Sequence, residues 1–221
     1  MEDPAITEPD IFACIGTQRA MRRLKPDPVP EAYIQKMLWA ATRAPSGANR
    51  QPWRFLVVAD ADKKRALGEL YSQSFYASSG DFMSQLPKDA PEAVRRNAEK
   101  TYRSAKYLAD HMGESPYIIL VGMVPLGHQD GDVAGGSIFP AVQNLLLAAR
   151  ALGLGAALTT IVSEQVVTVK GMFDIPDHIA IAAQIAVGWP LGRFGEAPRK
   201  PVEAVSYRDR WGSNWQIDQS G

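Results

Sequence analysis

Apolar residues recur at helical spacing at Ile34, Met37, Leu38 and Ala41, which predicts a helix opened by Pro30 and stopped by Pro45. A short apolar helix is expected before it, over residues 11–17, running into the basic cluster Arg19, Arg22, Arg23 and Lys25 until Pro26 and Pro28 break the chain. Residues 46–52 are too rich in turn formers to be regular. The β-branched and aromatic run 55–59 predicts a strand, and Asp60 caps a following helix that turns Leu67, Leu70 and Tyr71 to one side. Residues 72–91 carry Gly80, Pro87 and Pro91 and predict an irregular, mobile lid. A long helix over 92–112, a strand over 117–124 and a glycine-containing loop over 127–136 come next. From Ser137 a helix of about 16 residues is apolar on almost every side, so it belongs in the domain centre or a subunit interface. Gly153 and Gly155 stop it; a strand (156–161), a helix (163–173) and a last strand (180–187) follow. Beyond Gly188 the chain is proline-rich, holds Trp211 and Trp215, and reads as an extended arm.

Strands alternating with helices imply one sheet in an α+β or α/β layer. The length, 221 residues, suits a single domain over 1–221, and 46% hydrophobic content with zero formal net charge excludes disorder as the dominant state. The 24 basic residues match 24 acidic ones, so no global field favours nucleic acid or an acidic membrane. One cysteine, Cys14, excludes a disulfide framework, and its apolar neighbours point to a buried inert thiol. The acidic first ten residues are unlike a secretory leader and no run reaches bilayer length, so a cytoplasmic protein is expected.

Nucleophile elbows, Walker loops, zinc-protease and kinase motifs are absent, and Gly153-Leu154-Gly155 lacks the remainder of a dinucleotide fingerprint. His111, His128 and His178 stand far apart without paired carboxylates, so no metal site is expected. Three polar patches remain. Residues 18–23 put three guanidiniums within five positions, either a solvated turn or an anion site, since arginine forks match phosphate oxygens. Residues 45–53 gather short hydrogen-bonding side chains, and Arg199-Lys200-Pro201 is a second basic spot.

Taken in order, the basic patch leading into 24–30, the Pro45-Ser46-Gly47-Ala48-Asn49-Arg50-Gln51-Pro52-Trp53 loop, the 143–155 helix end, and Gly188-Trp189-Pro190 before Arg199-Lys200-Pro201 resemble the FMN-dependent nitroreductase family. The resemblance runs from about Thr17 to Trp211. It implies an α+β fold with a mostly antiparallel central sheet flanked by helices. It also implies a homodimer with two FMN sites at the subunit interface and a C-terminal arm (199–221) wrapping the partner. Carried onto this chain, Arg19 and Arg22 bind the flavin, with Arg22 at its N1 and C2 carbonyl edge. Pro45, Ser46, Asn49 and Gln51 come from the other subunit's loop, Leu158, Thr159 and Thr160 lie near N5 and the C4 carbonyl, and Arg199 closes on the phosphate. Gln18 and Ala20 occupy positions where the family favours arginine and serine, so Arg19, Arg199 and Arg23 carry more of the phosphate charge. Tyr76, Phe82 and Met83, with Phe75, are candidate substrate contacts on the lid.

The implied reaction is a ping-pong transfer from NADH or NADPH through FMN to a nitroaromatic, quinone or other electron-poor acceptor. A flavin carries that chemistry itself, which accounts for the missing catalytic triad. Two specialised branches remain as alternatives. One is a reductive dehalogenase gripping a zwitterion with a Glu, Tyr and Lys set, which residues 69–106 do not spell out. The other is the flavin-fragmenting dimethylbenzimidazole synthase, similar through the Pro-Ser loop and residues 108–112. A non-catalytic flavin-binding protein is the alternative from a different class.

Overall fold

The computed structural model describes residues 9–79, 86–125, 132–160 and 165–215. Four strands form one antiparallel sheet in the order β1 (Trp53–Val58), β2 (Tyr117–Met123), β4 (Ala180–Gly188), β3 (Gly155–Thr159). Around it, among the described residues, lie the helices α1 (Ile11–Thr17), α2 (Glu31–Ala41), α3 (Ala61–Ser79), α4 (Glu92–His111), α5 (Asp132–Ala151) and α6 (Val166–Met172). This is the α+β arrangement with an antiparallel sheet that the family resemblance implied, where the alternation of strands and helices left α/β open as well.

The sheet is covered on both faces, which is why β2 is apolar without alternation. Its residues divide by parity: Ile119 and Val121 join the core made with α2 and α5, whereas Ile118 and Leu120 join the core made with α3 and α4. In α5, Ile138, Ala141, Val142, Leu145 and Ala149 are all buried, so the apolar helix lies in the domain centre.

Local chemistry sets the boundaries. Asp10 accepts the amides of Phe12 and Ala13 at 2.8 and 3.0 Å, capping α1, and Asp60 accepts Lys63 N at 2.9 Å at the start of α3. Gly153 takes φ 75°, a left-handed conformation that ends α5 and brings Leu154 N within 2.8 Å of Ala149 O. Two expectations need correction. The irregular segment was expected from residue 72, but α3 continues to Ser79, because Tyr71, Ser74 and Phe75 stay buried at helical spacing against the second core. Similarly, α5 begins at Asp132 rather than Ser137, so the glycine pair Gly135-Gly136 is helical, and burial of the later turns outweighs their poor propensity.

Among the described residues no helix is long and apolar enough to cross a membrane. The arm after Gly188 holds, among the described residues, one short helical turn, Val202–Ala204, and two isolated bridges, Pro190 to Leu24 and Tyr207 to Asn214.

Candidate functional site

Residues 19–25 run along the edge of the sheet and are fastened to it by backbone hydrogen bonds. Met21 N donates to Ala156 O at 2.9 Å, Lys25 N to Trp189 O at 2.8 Å, and Leu191 N to Arg23 O at 2.9 Å. Met21 and Leu24 face inward and are buried, so the intervening Arg22 and Arg23 are left toward the outside. Gly155 makes the close approach possible: a Cβ there would lie 2.8 Å from Leu24 Cδ2 and 2.9 Å from Met21 Cβ. The spacing of the guanidiniums is therefore set by the strand beneath them.

These arginines open onto a cavity of about 970 Å³ whose third wall is α4 and whose rim is the start of the arm. Arg19, Arg22, Arg23, Lys100, Arg103 and Arg199 all line it, and no carboxylate among the described residues does. Arg19 is half-buried; its Nη2 donates to Arg193 O at 3.1 Å, while its Nε is buried without a partner. A cavity of uncompensated positive charge fits an anionic group, because arginine forks match the oxygens of such a group. Gln18 caps the end of α1 through its backbone N–H, and exposed Ala20 lines the same cavity.

Beneath Arg22 lies Tyr71, which is 3% exposed and hydrogen-bonded to the side chain of Thr159. Burial pushes the Tyr71 phenol above its ordinary value, against the opposing pull of the Thr159 hydrogen bond and the Arg22 charge. Thr159 is thus committed to Tyr71, Leu158 packs partly into the first core, and Thr160 is exposed at the strand end.

The 45–52 loop does not line this cavity. Ser137 Oγ accepts Gly47 N at 3.2 Å, Ser46 Oγ accepts Gln51 N at 3.0 Å, and Gln51 Nε2 donates to Asn49 Oδ1 at 3.1 Å. Ala48, Asn49 and Gln51 take φ of 51°, 53° and 49°, so three non-glycine residues hold a left-handed backbone within four positions. Such strain persists only where the surroundings enforce it and it gathers at ligand-binding loops. Pro45, Asn49 and Gln51 are exposed and Ser46 half-exposed, so the loop presents a fixed, outward-facing polar surface.

Of the candidate substrate residues, Tyr76 is exposed and donates its hydroxyl to Asp110 Oδ1 at 2.6 Å. Phe82 and Met83 lie outside the described residues. Phe75 is a correction: at 3% exposure, against Tyr71, Tyr76 and Tyr102, it belongs to the core. Sequence reasoning missed the α4 wall altogether. Its signal was the polar set Asn97, Lys100, Thr101 and Ser104 at three- and four-residue spacing. His111 stacks on Tyr107 and His178 is exposed; His128 lies outside the described residues. Among the described residues no group of three or more His, Cys, Asp or Glu could hold a metal.

At the edge of the antiparallel sheet lies a cationic cleft suited to an anionic group. Residues 15–189 match the family model described as the nitroreductase family, and the chain belongs to that family. It is 30% identical over 189 residues to the NADH dehydrogenase of Thermus thermophilus, covering 85% of this chain and 90% of that one. It is 26% identical over 215 residues to the 5,6-dimethylbenzimidazole synthase of Rhodospirillum rubrum, covering 92% and 96% of the two chains. The fold is similar, with a TM-score of 0.69, to the crystal structure of oxidized iodotyrosine deiodinase bound to FMN and 3-iodo-L-tyrosine; the two are 24% identical, and the match covers 92% of this chain and 100% of that one.

Proposed function

We propose that this protein is an FMN-dependent oxidoreductase that takes electrons from NADH or NADPH and delivers them, in two alternating half-reactions, to an electron-poor acceptor such as a nitroaromatic or quinone. The observation that carries this reading is the cavity lined by six cations and, among the described residues, no carboxylate. Family membership supports the cofactor, as does the FMN bound in the iodotyrosine deiodinase crystal structure that shares the fold. The name of the Thermus relative supports a nicotinamide donor.

FMN, when bound, supplies the hydride chemistry. Arg19 and Arg199 are suited to hold its phosphate by charge-assisted hydrogen bonds. Arg22, fixed over β3, stabilises negative charge at the cofactor edge nearest to it, and in a half-buried cleft such a charge counts for more than in water. Tyr71 and Thr159 fill the space beneath Arg22 and exclude water there. The outward-facing, strained loop of Pro45, Ser46, Asn49 and Gln51 serves the cavity of a second subunit, which supports a homodimer with two shared sites. Stopped-flow mixing of the FMN-loaded protein with NADH and NADPH tests the proposal: flavin absorbance near 450 nm should bleach with at least one and return on adding an acceptor. Bleaching by neither would sink it.

One observation favours a second reading, a branch acting on a zwitterionic amino acid. Lys106 Nζ lies 2.7 Å from Asp110 Oδ2 and 5.5 Å from the Tyr76 ring centroid, which assembles an amine, a carboxylate and a phenol next to α3. The hydrogen bond to Asp110 holds the Lys106 amine above its usual range. Titrating 3-iodotyrosine into the loaded protein separates the readings: saturable quenching of flavin fluorescence supports this branch, and an unchanged signal removes it.

A further inference from the structure

Along α4 the cations divide into two kinds. Away from the cavity, Arg96 lies 3.6 Å from Glu92 and Lys106 2.7 Å from Asp110, while Arg95 is taken up by the backbone carbonyls of Pro87, Lys88 and Ala90. Facing the cavity, Lys100 and Arg103 form no ion pair with a carboxylate among the described residues, although Glu99 is their helix neighbour. Arg23 joins them from the opposite wall, held 4.9 Å over the ring of Tyr107, itself a cavity residue of α4. Asn97, Thr101 and Ser104 add neutral donors on the same helix face.

Lys100 and Arg103, with no carboxylate partner among the described residues, leave their charge open to an anion from outside the chain. The flavin phosphate does not exhaust this charge. A phosphomonoester carries roughly two negative charges near neutral pH, which Arg19 and Arg199 match, and Arg22 answers the charge on the cofactor edge. Lys100 and Arg103 are left over, and so is Arg23, which the family resemblance turned toward the flavin phosphate but which is held over Tyr107 of α4 instead.

We propose that Arg23, Lys100 and Arg103 form a second anion site that takes the 2′-phosphate of a pyridine dinucleotide, so that the protein selects the phosphorylated donor over the unphosphorylated one. This rests on the flavin reading above and deepens it. The commitment to a phosphomonoester follows from two cations on α4 facing a third across the same cavity, with hydroxyl and amide donors beside them. A single carboxylate could engage only a fraction of them, whereas a dianionic group with three acceptor oxygens can engage them together.

The test is calorimetric titration of 2′,5′-ADP and 5′-AMP into the FMN-loaded protein and into the Lys100→Gln/Arg103→Gln double variant, with flavin absorbance recording the loading. A charge-assisted contact changes affinity by about tenfold or more, so the wild-type protein should bind 2′,5′-ADP at least tenfold more tightly than 5′-AMP. The double variant should lose most of that preference, and the charge-conserving Lys100→Arg/Arg103→Lys variant should retain it. Equal affinities in the wild-type protein, or a preference unchanged in the glutamine variant, would overturn the inference. So would 4-nitrobenzoate binding that depends on Lys100 and Arg103 while 2′,5′-ADP binding does not, because the site would then serve an acidic acceptor. A protein that takes up no FMN would overturn the flavin reading itself, and the 2′,5′-ADP preference of the same sample would be read independently.

Discussion

Arg22, Tyr71 and Thr159 are separated by sequence distances of 49 and 88 residues, and only folding brings the Tyr71 phenol to the Thr159 side chain and under the influence of the Arg22 charge. The arginines were legible because three guanidiniums in five residues are unusual chemistry wherever they occur. Tyr71 was legible only as one of several residues on a helix face, since nothing local distinguishes a phenol that packs in a core from one that supports a binding residue. Its burial has a measurable consequence. The folded-state phenol is held above its ordinary value near 10, so its contribution to stability is present below about pH 10 and is lost as pH rises through the higher folded value. Thermal melts between about pH 8 and 11 should show an alkaline loss of stability that is shallower in Tyr71→Phe. Identical slopes in the two proteins would contradict this account of Tyr71.

Elements with strong periodicity or clear punctuation were readable. The start of the helix after Pro30, the strand after the 46–52 loop and the stop at Gly153 all fall within two residues of where side-chain chemistry puts them, while the helix ends at Ala41, ahead of Pro45. Where a boundary depends on tertiary burial, it moved: α3 extends through 72–79 and α5 takes in Gly135 and Gly136, because contacts distant in sequence outweigh local turn propensity. The sheet order was not readable, since strand pairing is set by the helices covering each face. One contact between elements controls the site. In Gly155→Ala the added methyl would meet Leu24 and Met21 at the first residue of β3. Overpacking of this kind costs about 1–3 kcal/mol. It should also push the Arg19–Arg23 segment off the strand, so FMN affinity should fall along with the melting temperature. A variant that melts lower yet binds FMN as the parent does would separate the strand contact from the site.

For the whole molecule, the described surface leaves large apolar groups uncovered: Phe12 at 81%, Trp39 at 65% and Trp211 at 87% exposure. Groups of this size favour interfaces between chains. Together with an outward-facing polar loop that its own cavity does not use, they fit a site completed by a second copy. Truncation after Val205, which removes Trp211 and Trp215, should then shift sedimentation toward the monomer; an unchanged dimer would show that the arm plays no part in association. The loop and the arm were expected at a subunit interface from the sequence, whereas Phe12 and Trp39 were not, because exposure is a property of the folded surface.

Whether the six-cation cavity is a flavin-phosphate site is tested most directly by fluorescence titration of FMN into the flavin-free protein. Saturable quenching at one FMN per chain is expected, with affinity falling about tenfold or more in Arg19→Ala as a charge-assisted phosphate contact is lost. Absence of saturable binding, or binding that is indifferent to Arg19, would contradict it.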